Sequence, residues 1–324
     1  MNSEVTPDIV VMGASAGGVQ ALQKVVSEFP ADMEAGVFVV LHTLATVESL
    51  LPQVLARVSA FPAVTAEDRG LIETGKIYVT PPDRHMVFHD SAMSVVRGPK
   101  ENRHRPSIDV LFRSAAMTYG PRVIGVLLSG ADDDGTAGMM AIKRRGGITI
   151  VQDPAESAYP EMPGTALRTV GPDFKLPVAE IGPRIRDLVE GKFQKTEREP
   201  MSEPVDKSLE QDEGSPTDVR KLGSPSAFTC PDCKGTLWEL QDGQLLRYRC
   251  RVGHAYSVES IIEAESDSVE RALWEAVKTL EESAQLSRRI AQKTGILREE
   301  LTQKAVEREQ HARVIRELLV GNTN

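Results

Sequence analysis

Unbroken apolar runs that end on glycine or polar residues set the pattern of the first half of the chain. Ile9-Val10-Val11-Met12 runs into Gly13-Ala14-Ser15-Ala16-Gly17-Gly18, Gly36-Val37-Phe38-Val39-Val40-Leu41 into His42, and Val123-Ile124-Gly125-Val126-Leu127-Leu128 into Ser129-Gly130-Ala131-Asp132-Asp133-Asp134-Gly135. Short apolar runs bounded by turn signals predict strands buried on both faces. Val19 to Glu28 and Met139 to Arg145 are compatible with helix. The expected fold class is therefore α/β, a doubly wound, Rossmann-like parallel sheet.

Each run delivers a polar side chain to a strand's carboxyl end, where open parallel sheets place their ligands. Ser15, between glycines and just before a helix, reads either as an exposed nucleophile or as part of a phosphate-cradling glycine loop. The second strand bears on this choice, because a dinucleotide fold ends it in an acid that holds the ribose. His42 stands there instead, placed as a general base for Ser15 or as a buried structural histidine. Asp134 could orient that imidazole, although Asp133 or Asp134 could equally cap the following helix. Three polar residues at three such ends point to one shared site.

The order Ser15, His42, Asp134 within Gly-x-Ser-x-Gly-Gly and Leu-Ser-Gly-x-x-x-Asp-Gly-x-x-Gly-Met resembles the catalytic domain of chemotaxis-type (CheB-type) protein-glutamate methylesterases. Tyr78 to Met86, Arg105 to Phe112, Gln152-Asp153-Pro154 and Met162-Pro163 follow in the family's order, and the likeness covers roughly residues 6–190. It implies hydrolysis of glutamyl methyl esters on a methylated chemoreceptor or similar signalling protein, with glutamine deamidation as a further activity. The implied route is a serine nucleophile with a Ser15-His42-Asp134 triad and an acyl-enzyme, with no cofactor for catalysis. It places oxyanion donors at the main-chain N–H groups of Ala16 and Ala131, and His85, Arg105 and Ser107 along the substrate cleft. Ala16 stands where the pattern has threonine and Ala131 where it has methionine. Asp109 is expected either to cap its own helix or to touch substrate, and His104 and His311 to lie on the surface. Only a few residues precede the first strand, so control by an attached receiver domain is not expected.

The second half changes the picture. Residues 191–227 are rich in Glu, Asp, Lys, Ser and Pro and read as a flexible linker between a catalytic domain at 6–190 and two C-terminal modules. Cys230-Pro231-Asp232-Cys233 and Cys250-Arg251-Val252-Gly253-His254 supply four ligands for a structural zinc in a small zinc-ribbon-like module at 228–256, with free thiols or a redox pair as the alternative. Leu237 to Leu240 and Leu246 to Arg249 read as a hairpin turning at Asp242-Gly243. Residues 257–320 read as a helical hairpin broken near Thr294-Gly295. One helix would carry Val269, Leu273, Ala276, Leu280, Ala284 and Ser287, the other Leu297, Leu301, Ala305, Ala312, Ile315 and Leu319. It is either internal structure or a surface for self-association or a partner helix. A net charge of −9 argues against nucleic-acid binding. With no signal-like N-terminus and no membrane-length apolar run, the expected location is the cytoplasm. The competing function is a weak or inactive signalling scaffold acting through the C-terminal modules.

Overall fold

The computed structural model describes residues 6–192, 223–242, 245–294 and 297–321. Most of the expected linker, together with Gly243, Gln244 and Gly295, lies outside the described residues. One compact unit runs to Ile261 and a second begins at Ile262.

In chain order the first unit contains β1 (Ile9–Ala14), α1 (Gly18–Val26), β2 (Gly36–Leu41), α2 (Leu51–Ala56), β3 (Ala63–Thr65), β4 (Gly70–Leu71), β5 (Lys76–Val79), β6 (His85–His89) and β7 (Ala92–Val96). It continues with α3 (Ile108–Tyr119), β8 (Val123–Leu127), α4 (Thr136–Arg144), β9 (Ile148–Gln152), α5 (Glu161–Val170), β10 (Phe174–Leu176) and α6 (Val178–Val189). Seven strands form a parallel sheet in the order β10-β9-β8-β1-β2-β5-β3. Strand alternation divides the core between its two faces. Val10, Met12 and Ala14 pack with α1 and α6 through Leu22, Val25, Ile181 and Ile185. Ile9 and Val11 pack with α3, α4 and α5 through Ile108, Phe112, Met139 and Met162. Helices thus cover both faces, which is why β1, β2 and β8 carry apolar residues or glycine at every position. A small antiparallel sheet, β4-β7-β6, adds to the expected architecture; β4 is only two residues long and β7 is mostly half-buried, so neither stands out in the sequence.

After residue 222 come β11 (Ser224–Thr229), β12 (Thr236–Asp242), β13 (Leu245–Cys250) and β14 (Ala255–Ser257), an antiparallel sheet in that order. The expected hairpin is its β12–β13 pair, with Leu240 opposite Arg247. Two boundaries differ from expectation. β11 starts inside the segment read as linker, because it pairs with β12 through main-chain groups and most of its side chains stay exposed. β14 extends one residue past the expected module and leads into α7 (Val258–Thr294).

The second unit consists of α7 from Ile262 onward and α8 (Arg298–Gly321). Arg288 pairs with Glu309, Arg316 with Glu281, and Arg308 Nη1 donates to Ser287 Oγ, a set of contacts that only an antiparallel hairpin makes. Ala284, Ser287, Ala305 and Ala312 are buried as expected, and Val277 joins them. Val269 and Leu297 do not, being 58% and 62% exposed, because the ion-pair register gives Val269 no described residue of α8 to face and Leu297 precedes that helix.

Candidate active site

β1 pairs with β2 on one side and β8 on the other, so the carboxyl ends of all three adjoin. Ser15, His42 and Asp134 follow these ends and meet. Ser15 Oγ lies 3.2 Å from His42 Nδ1, and His42 Nε2 lies 2.9 Å from Asp134 Oδ2. Since the carboxylate accepts, Nε2 carries the proton and Nδ1 presents its lone pair to the hydroxyl. The strand-to-helix turn works because Gly17 adopts a left-handed conformation, φ 71°, that a side chain would strain and crowd against Ala158 and Ser129.

Asp134 is fully buried and accepts from four further donors. Ile108 N reaches Oδ2 at 2.6 Å, while Ser107 Oγ at 3.0 Å, Asn102 Nδ2 at 3.0 Å and Asp109 N at 3.2 Å reach Oδ1. Ile108 and Asp109 supply the first free N–H groups of α3, so Asp134 caps a helix 26 residues earlier in the chain rather than the one it precedes. Burial opposes its charge, but the His42 and Asn102 hydrogen bonds and the nearby imidazoles win and hold it below the usual carboxylate range. Burial pulls His42 below its ordinary value against the Asp134 bond, which keeps the ring a free base at neutral pH.

Three expectations need correction. His104 is no casual surface residue. Left-handed Asn102 and Arg103 turn the chain so that its ring stacks on His42, with centroids 3.6 Å apart and planes 11° apart, while Nε2 lies 3.4 Å from Asp132. His85 and Ser107 do not line a cleft. His85 is 2% exposed, donates from Nε2 to Pro99 O and accepts Ser107 N at Nδ1, so it fastens the segment leading into α3. Ser107 is buried with its hydroxyl committed to Asp134, and Arg105 is held by the Asp83 carboxylate and the Gly98 carbonyl. Asp109 does not cap its own helix, because Oδ1 accepts Gly138 N at 2.6 Å and ties α3 to α4 while Oδ2 accepts Asn102 Nδ2 at 2.9 Å. His311 is exposed as expected.

Ser15 N donates to Ser129 O, and Gly130 passes so close to Ser15 that an added Cβ would lie 2.8 Å from the serine's own. Ala131 is therefore carried past the nucleophile. Among the described residues the Ala16 and Ala131 N–H groups are paired with no acceptor.

The sequence profile of the family described as CheB methylesterase matches residues 10–185. The chain belongs to this family. It is 35% identical over 190 residues to protein-glutamate methylesterase/protein-glutamine glutaminase 2 of Methanosarcina mazei, covering 56% of this chain and 52% of that one. It is 36% identical over 192 residues to protein-glutamate methylesterase/protein-glutamine glutaminase 1 of Paramagnetospirillum magneticum, covering 58% and 50%. The chain thus spans about half the length of these curated relatives. The crystal structure of the Thermotoga maritima CheB methylesterase catalytic domain superposes with a TM-score of 0.55 at 28% identity, covering 57% of this chain and all of that one.

The family match ends before the Cys/His module. There Cys230, Cys233, Cys250 and His254 bring one ligand atom each to within 4.8 Å of one another, a set that could hold a metal ion. Cys233 and Cys250 sulfurs are 3.6 Å apart, and His254 Nδ1 lies 3.5 Å from Cys250 Sγ and 3.7 Å from Cys230 Sγ. Ordinary zinc bond lengths give a tetrahedron with edges of about 3.8 Å between sulfurs and about 3.5 Å from sulfur to nitrogen, so the four residues fit. No described helix is long and apolar enough to cross a membrane.

Proposed function

We propose that the chain is a protein-glutamate methylesterase working through Ser15, His42 and Asp134. The relay from Ser15 Oγ through both nitrogens of His42 to Asp134 carries this reading. Ser15 Oγ attacks the ester carbonyl as Nδ1 takes its proton, forming the C–O bond and a tetrahedral oxyanion. The proton then passes to the methoxy oxygen, methanol leaves, and an acyl-enzyme remains. Water attacks this ester with Nδ1 again as base, and the returned proton releases Ser15 and a glutamate carboxylate. Asp134 keeps Nε2 protonated and faces the imidazolium that forms at each step. The Ala16 and Ala131 N–H groups hold the oxyanion; being main-chain donors, they survive the family's usual side chains being replaced by alanine.

The substrate is a glutamyl methyl ester on a chemoreceptor-type signalling protein, a reading drawn from the family, whose relatives' names also extend it to glutamine deamidation. Zinc in the Cys/His module would be held by Cys230, Cys233, Cys250 and His254, and would supply folding energy there rather than chemistry at Ser15.

Ser15→Ala is expected to abolish methanol release from a methylated receptor fragment and labelling by a fluorophosphonate while leaving the melting temperature within a few degrees. Undiminished hydrolysis by that variant removes Ser15 from the reaction, whereas a wild-type chain that neither releases methanol nor takes the label favours the scaffold reading.

A further inference from the structure

Asn102 lies between the triad acid and the Cys/His module, and its amide is committed on both sides. Nδ2 donates to Asp134 Oδ1 at 3.0 Å and to Asp109 Oδ2 at 2.9 Å. Oδ1 accepts from Ser257 N at 3.0 Å, at the end of β14, and from Ser260 Oγ at 3.3 Å, in the first turn of α7. A flipped amide would set its oxygen against two carboxylates and its NH2 against the Ser257 N–H, so these partners select one orientation. The backbone reinforces it. Asn102 N donates to Ala255 O at 2.8 Å, and Ala255 N to Lys100 O at 3.4 Å, so β14 lies alongside the segment that carries Asn102. Ser257 Oγ also donates to Asp133 Oδ1 at 2.8 Å, gripping the residue before the triad acid. The neighbouring Glu101 is buried between Arg113 and Arg247 of β13, at 2.7 and 3.4 Å.

We propose that Asn102 is a positioning residue for Asp134 and that Ser257, closing the module's last strand, and Ser260, in the first turn of α7, hold it in place, so that the segment from the Cys/His module into α7 completes the catalytic unit. The inference rests on the Ser-His-Asp reading above. With Oδ1 of Asp134 pinned by Asn102, Ser107 and the Asp109 N–H, the carboxylate cannot swing, and Oδ2 stays on His42 Nε2. Asn102 is buried, so its loss acts on turnover rather than on substrate capture.

The test uses the full chain with Asn102→Ala, Ser260→Ala and the two combined, with methanol release and fluorophosphonate labelling of Ser15 as readouts. Losing one hydrogen bond to a buried carboxylate predicts a fall in kcat of about tenfold for Asn102→Ala with KM changed less than about twofold. Ser260→Ala is expected to lose about threefold, and the double variant to be no slower than Asn102→Ala alone, because Ser260 acts through Asn102. Losses that multiply, or a change confined to KM or to the melting temperature, overturn the proposal. Should Asn102→Ala fail to fold, Ser260→Ala decides alone: kcat and labelling at the wild-type rate sink it. If wild-type Ser15 resists the reagent, the triad reading itself fails and this inference falls with it.

Discussion

In the parallel sheet β1, β2 and β8 are buried along their whole length, whereas β11 of the small sheet exposes five of its six residues. The first places its polar side chains by packing: two apolar faces fix the register, and the strand ends are set with it. The second has a core of little more than Leu237, Leu240, Tyr248 and Tyr256 around Cys230 and Cys250, too small to hold a sheet by burial alone. Four side chains in tetrahedral reach could hold a metal ion, which would do there what hydrophobic layers do in the larger domain. A site built on layers tolerates an exposed rim, while one built on ligands depends on each of them.

The largest expected effect strikes the layered region at the buried carboxylate of Asp134. Asp134→Asn puts an NH2 where donors from α3 and His42 converge, so activity should drop by about three orders of magnitude and stability by about 3 kcal/mol. Methanol release and urea midpoints check this; a variant as stable as the parent would show that Asp134 is not the cap of α3.

Next comes metal removal. Chelation is expected to release one zinc per chain and to open the β12–β13 amides to hydrogen exchange, leaving those of β1, β2 and β8 protected. Equal loss of protection in both sheets would erase the contrast between them.

The effect with the least bearing on activity lies between the two regions, at Asp133, whose burial, with a lesser push from Asp109, Glu259 and Asp134, raises its carboxyl to about 8 against the Ser257 hydrogen bond. A group that holds its proton more tightly when folded stabilises most below its unfolded value of 3.8 and loses that contribution as pH climbs toward about 8. Asp133→Asn keeps an acceptor for Ser257 and should flatten the stability curve across that window, by about 1.4 kcal/mol per pH unit at most. A slope unchanged in denaturation series from pH 4 to 8 would contradict the assignment.

Ser15 and His42 were legible because each is a polar residue just past an apolar run, and Asp134 because it ends the short polar stretch that follows a third such run, next to a helix start. The Cys230, Cys233, Cys250 and His254 cluster was legible from spacing. The lengths of the cysteine module were not, since β11 pairs through main-chain groups and its sequence carries no apolar alternation. His85 and Ser107 were misplaced because proximity to a site along the chain does not say which side of a wall a residue occupies.

By itself the sequence determined the sheet's central strands, the three polar side chains that meet beyond their ends and the Cys/His cluster that could hold a metal ion, because these arise from local patterning. Only the tertiary structure decided that His42 turns Nδ1 toward the serine, that His104 lies flat on its ring, and that Asp134 serves α3 and Asn102 at once. Those arrangements join segments tens of residues apart through hydrogen bonds and ring contacts, which depend on how helices and modules dock and leave no periodic trace in the chain.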